Sequence, residues 1–490
     1  MLDFNMQAEA LTFDDVLLVP SYSDILPKEV ILKTRLTNEL SLNLPFLSAA
    51  MDTVTESRLA IALAQEGGIG IIHRNMSIYS QSEEVKKVKK FESGIVRNPI
   101  VVNSDITVKE LLEVMNNYNV SGFPVVEDGK LVGIVTSRDI RFETNLSLLV
   151  QNVMTPKERL VTVNENDDRE KIIRLLHKNR IEKLLVVNNS FDLCGLITVK
   201  DIQNAKRNPF ACKDNSGQLC VGAAIGVSMK DTEDRVYSLV DSGVDVLVID
   251  TAHGHTKRVI DIIRWIKKKF SVQVVGGNVV TPEAAFTLVK AGVDAVKVGI
   301  GPGSICTTRI VTGVGMPQIT AILSIFKKLK GEVPIIADGG IRYSGDICKA
   351  LAAGADSVML GGIFAGTEES AGNTEFYRGR AYKSYRGMGS LGVMSGITRY
   401  SDRYFLDNEE NSDSIVPEGI EGRVPYKGVL HSVVIQLIGG LKSCMGYLGC
   451  IDIKMLHEKS KFVKITHSGM RESHVHDVNI VKQAPNYQID

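Results

Sequence analysis

The feature that most constrains this chain is a series of short, uniformly apolar segments, each followed by a loop and an amphipathic stretch. The apolar segments cover 45–51, 69–73, 221–224, 245–250, 273–278, 295–299, 334–338 and 357–361. Helical periodicity covers 56–65, 231–242, 257–270, 282–291, 317–330 and 344–354. Strands that are apolar throughout, rather than on alternate residues, belong to a parallel sheet covered on both faces. Eight such units predict a closed (β/α)8 barrel, an α/β fold whose site forms where the strands end. An open doubly wound sheet is the structural alternative. The G-x-G-x-x-G turn after a first strand that such a dinucleotide-binding sheet uses is missing.

The pattern breaks after about residue 90 and resumes near Cys220. Between them, residues 94–205 carry a repeat of their own, with a period of about 60 residues. Ile134-Val135-Thr136-Ser137-Arg138-Asp139-Ile140 answers Leu196-Ile197-Thr198-Val199-Lys200-Asp201-Ile202, and Pro124-Val125-Val126 answers Leu185-Val186-Val187. Each copy, 94–150 and 151–205, reads strand, helix, strand, strand, then a Thr-x-basic-Asp turn opening a helix. Helix capping alone accounts for one such turn. Two in matched positions suggest paired nucleotide sites, Thr136, Arg138 and Asp139 in one and Thr198, Lys200 and Asp201 in the other. The carboxylates suit ribose hydroxyls and the cations suit phosphate. The repeat resembles a tandem cystathionine-β-synthase-like pair, or Bateman module. The barrel then comprises 1–93 and 206–490. The stretch 210–218, with Cys212, matches no motif.

At 490 residues the chain accommodates a barrel of about 250 residues plus such an insert. Fifty-seven basic residues balance 57 acidic ones, so no overall field favours nucleic acid or an anionic membrane. No apolar run approaches the ~20 residues that span a bilayer, and the N-terminus does not read as a signal peptide. A soluble, cytoplasmic protein is expected. The seven cysteines form no CxxC pair. Cys194, Cys212, Cys220, Cys348, Cys444 and Cys450 read as reduced, mostly structural thiols.

Cys306 differs. It follows the strand at 295–298 on Gly299-Ile300-Gly301-Pro302-Gly303-Ser304, a turn in which glycine and proline forbid helix and strand, and precedes Thr307, Thr308 and Arg309. A thiol beside hydroxyls and a permanent cation is where a thiolate nucleophile forms; a buried structural cysteine is the bland alternative. Asp338-Gly339-Gly340 and Gly361-Gly362 end the last two strands, where barrels commonly bind phosphate on backbone N–H groups. Asp338 either accepts from ribose hydroxyls or merely caps a helix. Tyr385-Arg386-Gly387-Met388-Gly389-Ser390 opens a stretch, about 375–430, that reads as an active-site flap or a disordered insertion. Asp402-Arg403-Tyr404 and Pro417-Glu418-Gly419 within it are catalytic candidates, or else a solvated charged loop. His253 and His255, after Asp250, have no third ligand at the usual spacing, so zinc is not expected there.

Taken together, Ser48-Ala49-Ala50-Met51-Asp52, Gly299 to Thr308, Asp338-Gly339-Gly340, Tyr385 to Gly389, Arg403-Tyr404 and Glu418-Gly419 make the chain resemble the bacterial inosine-monophosphate dehydrogenases over essentially its whole length. The resemblance implies attack of Cys306 on C2 of the purine of IMP, hydride transfer to NAD+, and hydrolysis of the resulting thioimidate after the flap closes. Arg403 is then the base that activates water, although a group with so high a reference pKa is an unusual base and residue chemistry alone favours Glu418. Thr308 and Tyr404 are relay partners. It further implies that Ser304, Asp338, Gly339, Gly340, Gly361, Gly362, Tyr385, Arg386, Gly387, Met388, Gly389 and Glu418 hold IMP. For NAD+ it implies Asp250, Asn278, Gly299, Ile300, Gly301 and Arg309. A potassium ion is implied on backbone carbonyls of Gly301, Gly303 and Cys306, completed by Glu472, Ser473 and His474 of a neighbouring subunit in a homotetramer, with octamers an open question. The nearest rival is a guanosine-monophosphate reductase, which resembles this barrel and its cysteine loop but needs no hydrolytic flap. A nucleotide-sensing protein with an inactive barrel is the rival from another class; intact Cys306, Thr308, Asp338 and Arg403 speak against it.

Overall fold

The computed structural model describes residues 9–91, 96–97, 99–118, 120–164, 167–395 and 416–487. They form two compact units, one of Met1–Lys89, Phe210–Asp214 and Leu219–Asp490, the other of Lys90–Pro209 and Asn215–Gln218.

In the first unit eight parallel strands close on themselves: β1 (Phe46–Ser48), β2 (Ile69–Ile72), β3 (Val221–Ile225), β4 (Val246–Ile249), β5 (Gln273–Val279), β6 (Ala295–Val298), β7 (Ile335–Asp338) and β8 (Ser357–Leu360). β8 pairs with β1 through Met359 opposite Leu47, so no edge is left open. Side chains alternate between two apolar layers. Leu47, Ile69, Ile71, Val246, Val248, Val275, Ile336 and Met359 fill the lumen. Phe46, Ile72, Ala223, Leu247, Val274, Val296 and Ile335 face the surrounding helices. Burial on both sides explains the unbroken apolar runs. The helices start and stop on local signals. Thr256 caps Lys257–Lys269 by accepting from Val259 N, and Thr281 caps Pro282–Ala291, which ends on Gly292 at φ 105°.

The unread stretch at 210–214 closes the barrel floor. Asn43 Nδ2 donates to Phe210 O at 2.8 Å. Buried Lys89 donates to Asp214 at 2.9 Å and to both oxygens of Asp245, whose Oδ2 also receives Val221 N. A buried lysine is tolerated here because two carboxylates pair with it.

The 375–430 stretch needs one correction. Its ends are regular structure: β9 (Thr374–Tyr377), β10 (Arg380–Arg386) and β11 (Glu421–Pro425) form an antiparallel sheet. Inward Lys383 and Tyr385 alternate with less buried neighbours, and a lysine at an inward position concealed the strand period.

The second unit contains two four-stranded sheets. The hairpin Gly122–Glu127/Lys130–Thr136 shifts register at Val125/Val126, and its counterpart Lys183–Val187/Leu193–Thr198 shifts at Val186/Val187. Each hairpin pairs in parallel with a strand preceding a helix, Val108–Tyr118 or Arg169–Asn179. The repeat is therefore structural. The expected helix after Thr-x-basic-Asp forms as Val199–Arg207 in the second copy only. After Asp139 the chain makes turns, because Ile140 is buried while Arg141, Phe142 and Glu143 are exposed or half-exposed and leave no apolar helical face.

No single helix among the described residues is long and apolar enough to cross a membrane. The bent pair Leu430–Leu448 and Ile453–Lys459 is apolar because Val434, Leu441, Met445 and Leu456 pack into the barrel's outer layer.

Candidate active site at the strand ends

The loop after β6 is shaped by what a side chain would strike. Gly299 has φ 146°, and a Cβ there would lie 2.2 Å from Asp338 O; Gly301 has φ 76° and would meet Arg309 Cγ at 2.5 Å. Arg309 braces this turn by donating Nε to Ile300 O at 2.9 Å and Nη2 to Met316 O at 2.6 Å. Its burial pulls the guanidinium below its ordinary value, and the neighbouring Cys306 opposes that.

Cys306 emerges half-buried. Its Sγ donates to Thr308 Oγ1 at 3.2 Å, and Thr308 Oγ1 donates to Glu418 Oε2 at 2.7 Å. Glu418 is held by backbone on both sides: its carbonyl accepts Thr307 N at 3.0 Å and its N–H donates to Gly389 O at 3.0 Å. Ile420 N donates to Ile305 O, and Gly387 N donates to Ile420 O at 2.9 Å. Gly387 and Gly419 approach so closely that a Cβ on Gly387 would lie 3.2 Å from Gly419 Cα. Three segments distant in sequence, 303–308, 387–390 and 418–420, are thus one hydrogen-bonded body around the thiol.

Asp338, at the end of β7, is fixed by one residue of the adjacent β6 and one of β5 beyond it. Its Oδ2 accepts Lys297 Nζ at 2.6 Å and Asn278 Nδ2 at 2.9 Å. Lys297 also bonds Asn278 Oδ1, and Asn278 Nδ2 also donates to Gly299 O at 2.6 Å. Lys297 is 2% exposed, so its charge is compensated by a carboxylate that itself reaches the surface at 20%. Gln318 Nε2 ties the ends of β6 and β7 by donating to Val298 O and Asp338 O.

Gly361 and Gly362 complete the ring. A Cβ on Gly361 would stand 2.9 Å from Tyr385 Oη, and one on Gly362 would stand 3.7 Å from Ser304 Oγ. A side chain on Gly361 would therefore crowd the Tyr385 hydroxyl, whereas Gly362 leaves ordinary contact distances to Tyr385 and Ser304. Burial pushes the Tyr385 phenol up to about 12, and the interaction with Ser304 opposes that rise. Arg386 pairs with Asp52 through Nη2 at 2.5 Å and Nε at 3.1 Å, and Asp52 also accepts Asn75 Nδ2 at 2.8 Å.

The expected residues at 299–309, 338–340, 361–362, 385–389 and 418 therefore meet at one end of the barrel. Arg403 and Tyr404 lie outside the described residues. Asp250 is buried at the end of β4, and burial pulls the nearby His253 below its ordinary value. Among the described residues no three His, Cys, Asp or Glu side chains cluster as metal ligands. Glu472 and Ser473 end the exposed helix His467–Ser473, and His474 bonds Tyr487 Oη at 2.9 Å. Within the second unit, a cavity of about 270 Å³ is lined by Thr136, Arg138 and Asp139 together with Arg159 and Lys183. Thr136 and Asp139 also bond each other at 2.7 Å, as a capping turn would.

Lys297, Gln318, Asn75 and the Asp52–Arg386 pairing escaped the sequence reading. A charged residue inside an otherwise apolar strand was the one available signal for Lys297.

The domain described as IMP dehydrogenase / GMP reductase matches residues 10–476. An inosine-5'-monophosphate dehydrogenase of Haemophilus influenzae is 56% identical over 491 residues, all of both chains. One of Escherichia coli K12 is 57% identical over 484 residues, 98% of both. Among solved structures, a GMP reductase from Trypanosoma brucei, a cysteine-to-alanine variant in complex with guanosine 5'-monophosphate, is 38% identical. That match covers 97% of this chain and 100% of its own, with a TM-score of 0.86. With matches of that extent and this geometry, the chain belongs to the IMP dehydrogenase / GMP reductase family.

Proposed function

We propose that the protein oxidises inosine 5'-monophosphate to xanthosine 5'-monophosphate, with NAD+ taking the hydride and water supplying the oxygen. The chain Cys306–Thr308–Glu418 carries this reading. It links the nucleophile to a carboxylate through one hydroxyl, so the thiol proton has a route off sulfur. Full-length relatives at 56–58% identity favour the dehydrogenase over the reductase.

As the Cys306 proton passes to Thr308 and that of Thr308 to Glu418, sulfur bonds to C2 of the purine. Hydride leaves C2, and a thioimidate on Cys306 remains. Water then attacks C2, the C–S bond breaks, and sulfur recovers a proton. Arg403, on the family resemblance, activates that water, with Tyr404 and Glu418 accessory. Asp338 receives ribose hydroxyls on the oxygen not held by Lys297 and Asn278, with Gly339 and Gly340 beside it. Ser304, Tyr385, Gly361, Gly362 and 386–389 surround the phosphate and base.

Asp250, Asn278, Gly299, Ile300, Gly301 and Arg309 are the NAD+ residues in this reading. Asn278 and Arg309 act partly by bracing, since their donors already meet Gly299 O, Asp338, Ile300 O and Met316 O. The glycine turn suits a monovalent cation such as potassium: carbonyls of Gly301, Gly303 and Cys306 are neutral donors, completed by Glu472, Ser473 and His474 from a second copy in a tetramer. In the second unit, Arg138, Arg159 and Lys183 around one cavity favour a regulatory nucleotide phosphate.

Single-turnover kinetics test the scheme. Wild type gives an NADH burst, dependent on potassium over lithium. Cys306→Ala abolishes the burst and covalent trapping, while Arg403→Ala keeps the burst and slows hydrolysis. A residual burst in Cys306→Ala removes the nucleophile assignment; NADPH-dependent reduction of guanosine monophosphate without IMP oxidation replaces the reaction altogether.

A further inference from the structure

Six cysteines lie outside the site, and two of them face each other across a helix pair. The helix Ser344–Ala352, which follows the Asp338-Gly339-Gly340 loop, packs on the long helix Leu430–Leu448. The two come unusually close where Gly440 meets Ser344: a Cβ on Gly440 would stand 2.2 Å from Ser344 Oγ and 2.5 Å from Ser344 Cβ. One turn further along each helix are Cys348 and Cys444. Residues four apart share a helix face, so the Gly440–Ser344 contact brings these two side chains together. Cys348 Sγ donates to Gly440 O at 3.9 Å, and the two thiols are close enough that each shifts the acidity of the other. Both are free, Cys348 buried and Cys444 half-buried.

We propose that Cys348 and Cys444 form a two-thiol oxidation site that a peroxide converts into a disulfide between these helices. The exposures assign the order. Cys444 reaches solvent and reacts first: its thiolate attacks the peroxide, the O–O bond breaks, and a sulfenic acid and water form. Cys348 then attacks that sulfur, its proton and the hydroxyl leave as a second water, and the S–S bond closes. The neighbouring Cys348 holds the Cys444 thiol below its ordinary value, which raises its thiolate fraction, whereas Cys444 and burial push Cys348 up. Close helix approach at a glycine also suits the Cα separation of about 5–6 Å that a disulfide needs. The Cys212 and Cys220 thiols also touch, but both are buried at the barrel floor and neither offers an oxidant a first target.

The test uses the full chain carrying Cys306→Ala, so that the active-site thiol does not compete. The protein is treated with hydrogen peroxide, denatured in an alkylating agent, digested and mapped by mass spectrometry. Alkylation is expected to be lost at Cys348 and Cys444 together, with a peptide pair joined through them and released by dithiothreitol. In Cys444→Ser, Cys348 is expected to stay fully alkylatable. If that variant does not fold, the parent map still decides, because the link is read directly. Sulfinic acid on Cys444 with Cys348 alkylated overturns the proposal. So does a Cys212–Cys220 link with Cys348 and Cys444 both alkylated.

Discussion

Lys297 is the residue on which the Asp338 end of the site turns. It lies in the middle of a barrel strand, 2% exposed, and its partner Asp338 is 41 residues further along the chain. A sequence window could not reveal that pair, because only barrel closure places β6 beside β7. Removing one member of a buried pair leaves the other charge uncompensated, at a cost of about 3–5 kcal/mol. Lys297→Met is therefore expected to lower the melting temperature and to raise KM for IMP at least tenfold, with Lys297→Arg restoring most of both. Unchanged KM in Lys297→Met refutes a role in holding Asp338. Tyr385 is tested through pH. Its folded value, about 12, lies above the ordinary 10 of an exposed phenol. The contribution it makes to stability is complete below pH 10 and is lost as pH rises toward 12. Melting curves should show this alkaline loss in wild type and a shallower one in Tyr385→Phe.

Among elements, the eight barrel strands were legible because burial on both faces writes itself as an apolar run. The antiparallel sheet beside them was not. In β10 one inward position is a lysine, whose Nζ reaches Ser370 O at 3.1 Å, so apolar alternation fails although the strand forms. The turn after β6 was legible as a turn, but the reason each glycine is needed was not. Gly299 exists for the carbonyl of Asp338, 39 positions away by its number and adjacent by strand pairing. Gly299→Ala combines a strained φ with a 2.2 Å clash. It is expected to cost about 1–3 kcal/mol in stability and to depress kcat by displacing Cys306 and Asp338 together. Normal kinetics with lowered stability alone would limit that glycine to folding.

At the scale of the whole molecule, composition excluded a dominant charge field and the repeat announced a second unit. What sequence could not show was how far its two copies diverge: turns follow Asp139 where a helix follows Thr198. The cavity lies between the copies, lined by Thr136, Arg138 and Asp139 of the first and by Arg159 and Lys183 of the second. Adenine and guanine nucleotides are expected to bind there with affinity that falls about tenfold or more in Arg138→Ala, read by calorimetry, while the NADH burst at saturating IMP persists. Binding unaffected by Arg138→Ala would move the nucleotide elsewhere in the unit.

The backbone bond from Glu418 N to Gly389 O has a consequence for the proposed reaction. It ties together the two ends of the stretch that contains Arg403 and Tyr404, and it does so beside Cys306. A segment anchored at both ends is tethered near its anchors, so whatever it carries acts intramolecularly rather than as a separate reagent. In the proposed reaction, a catalytic group carried by that stretch is therefore supplied by the same chain, while water and NAD+ come from solution.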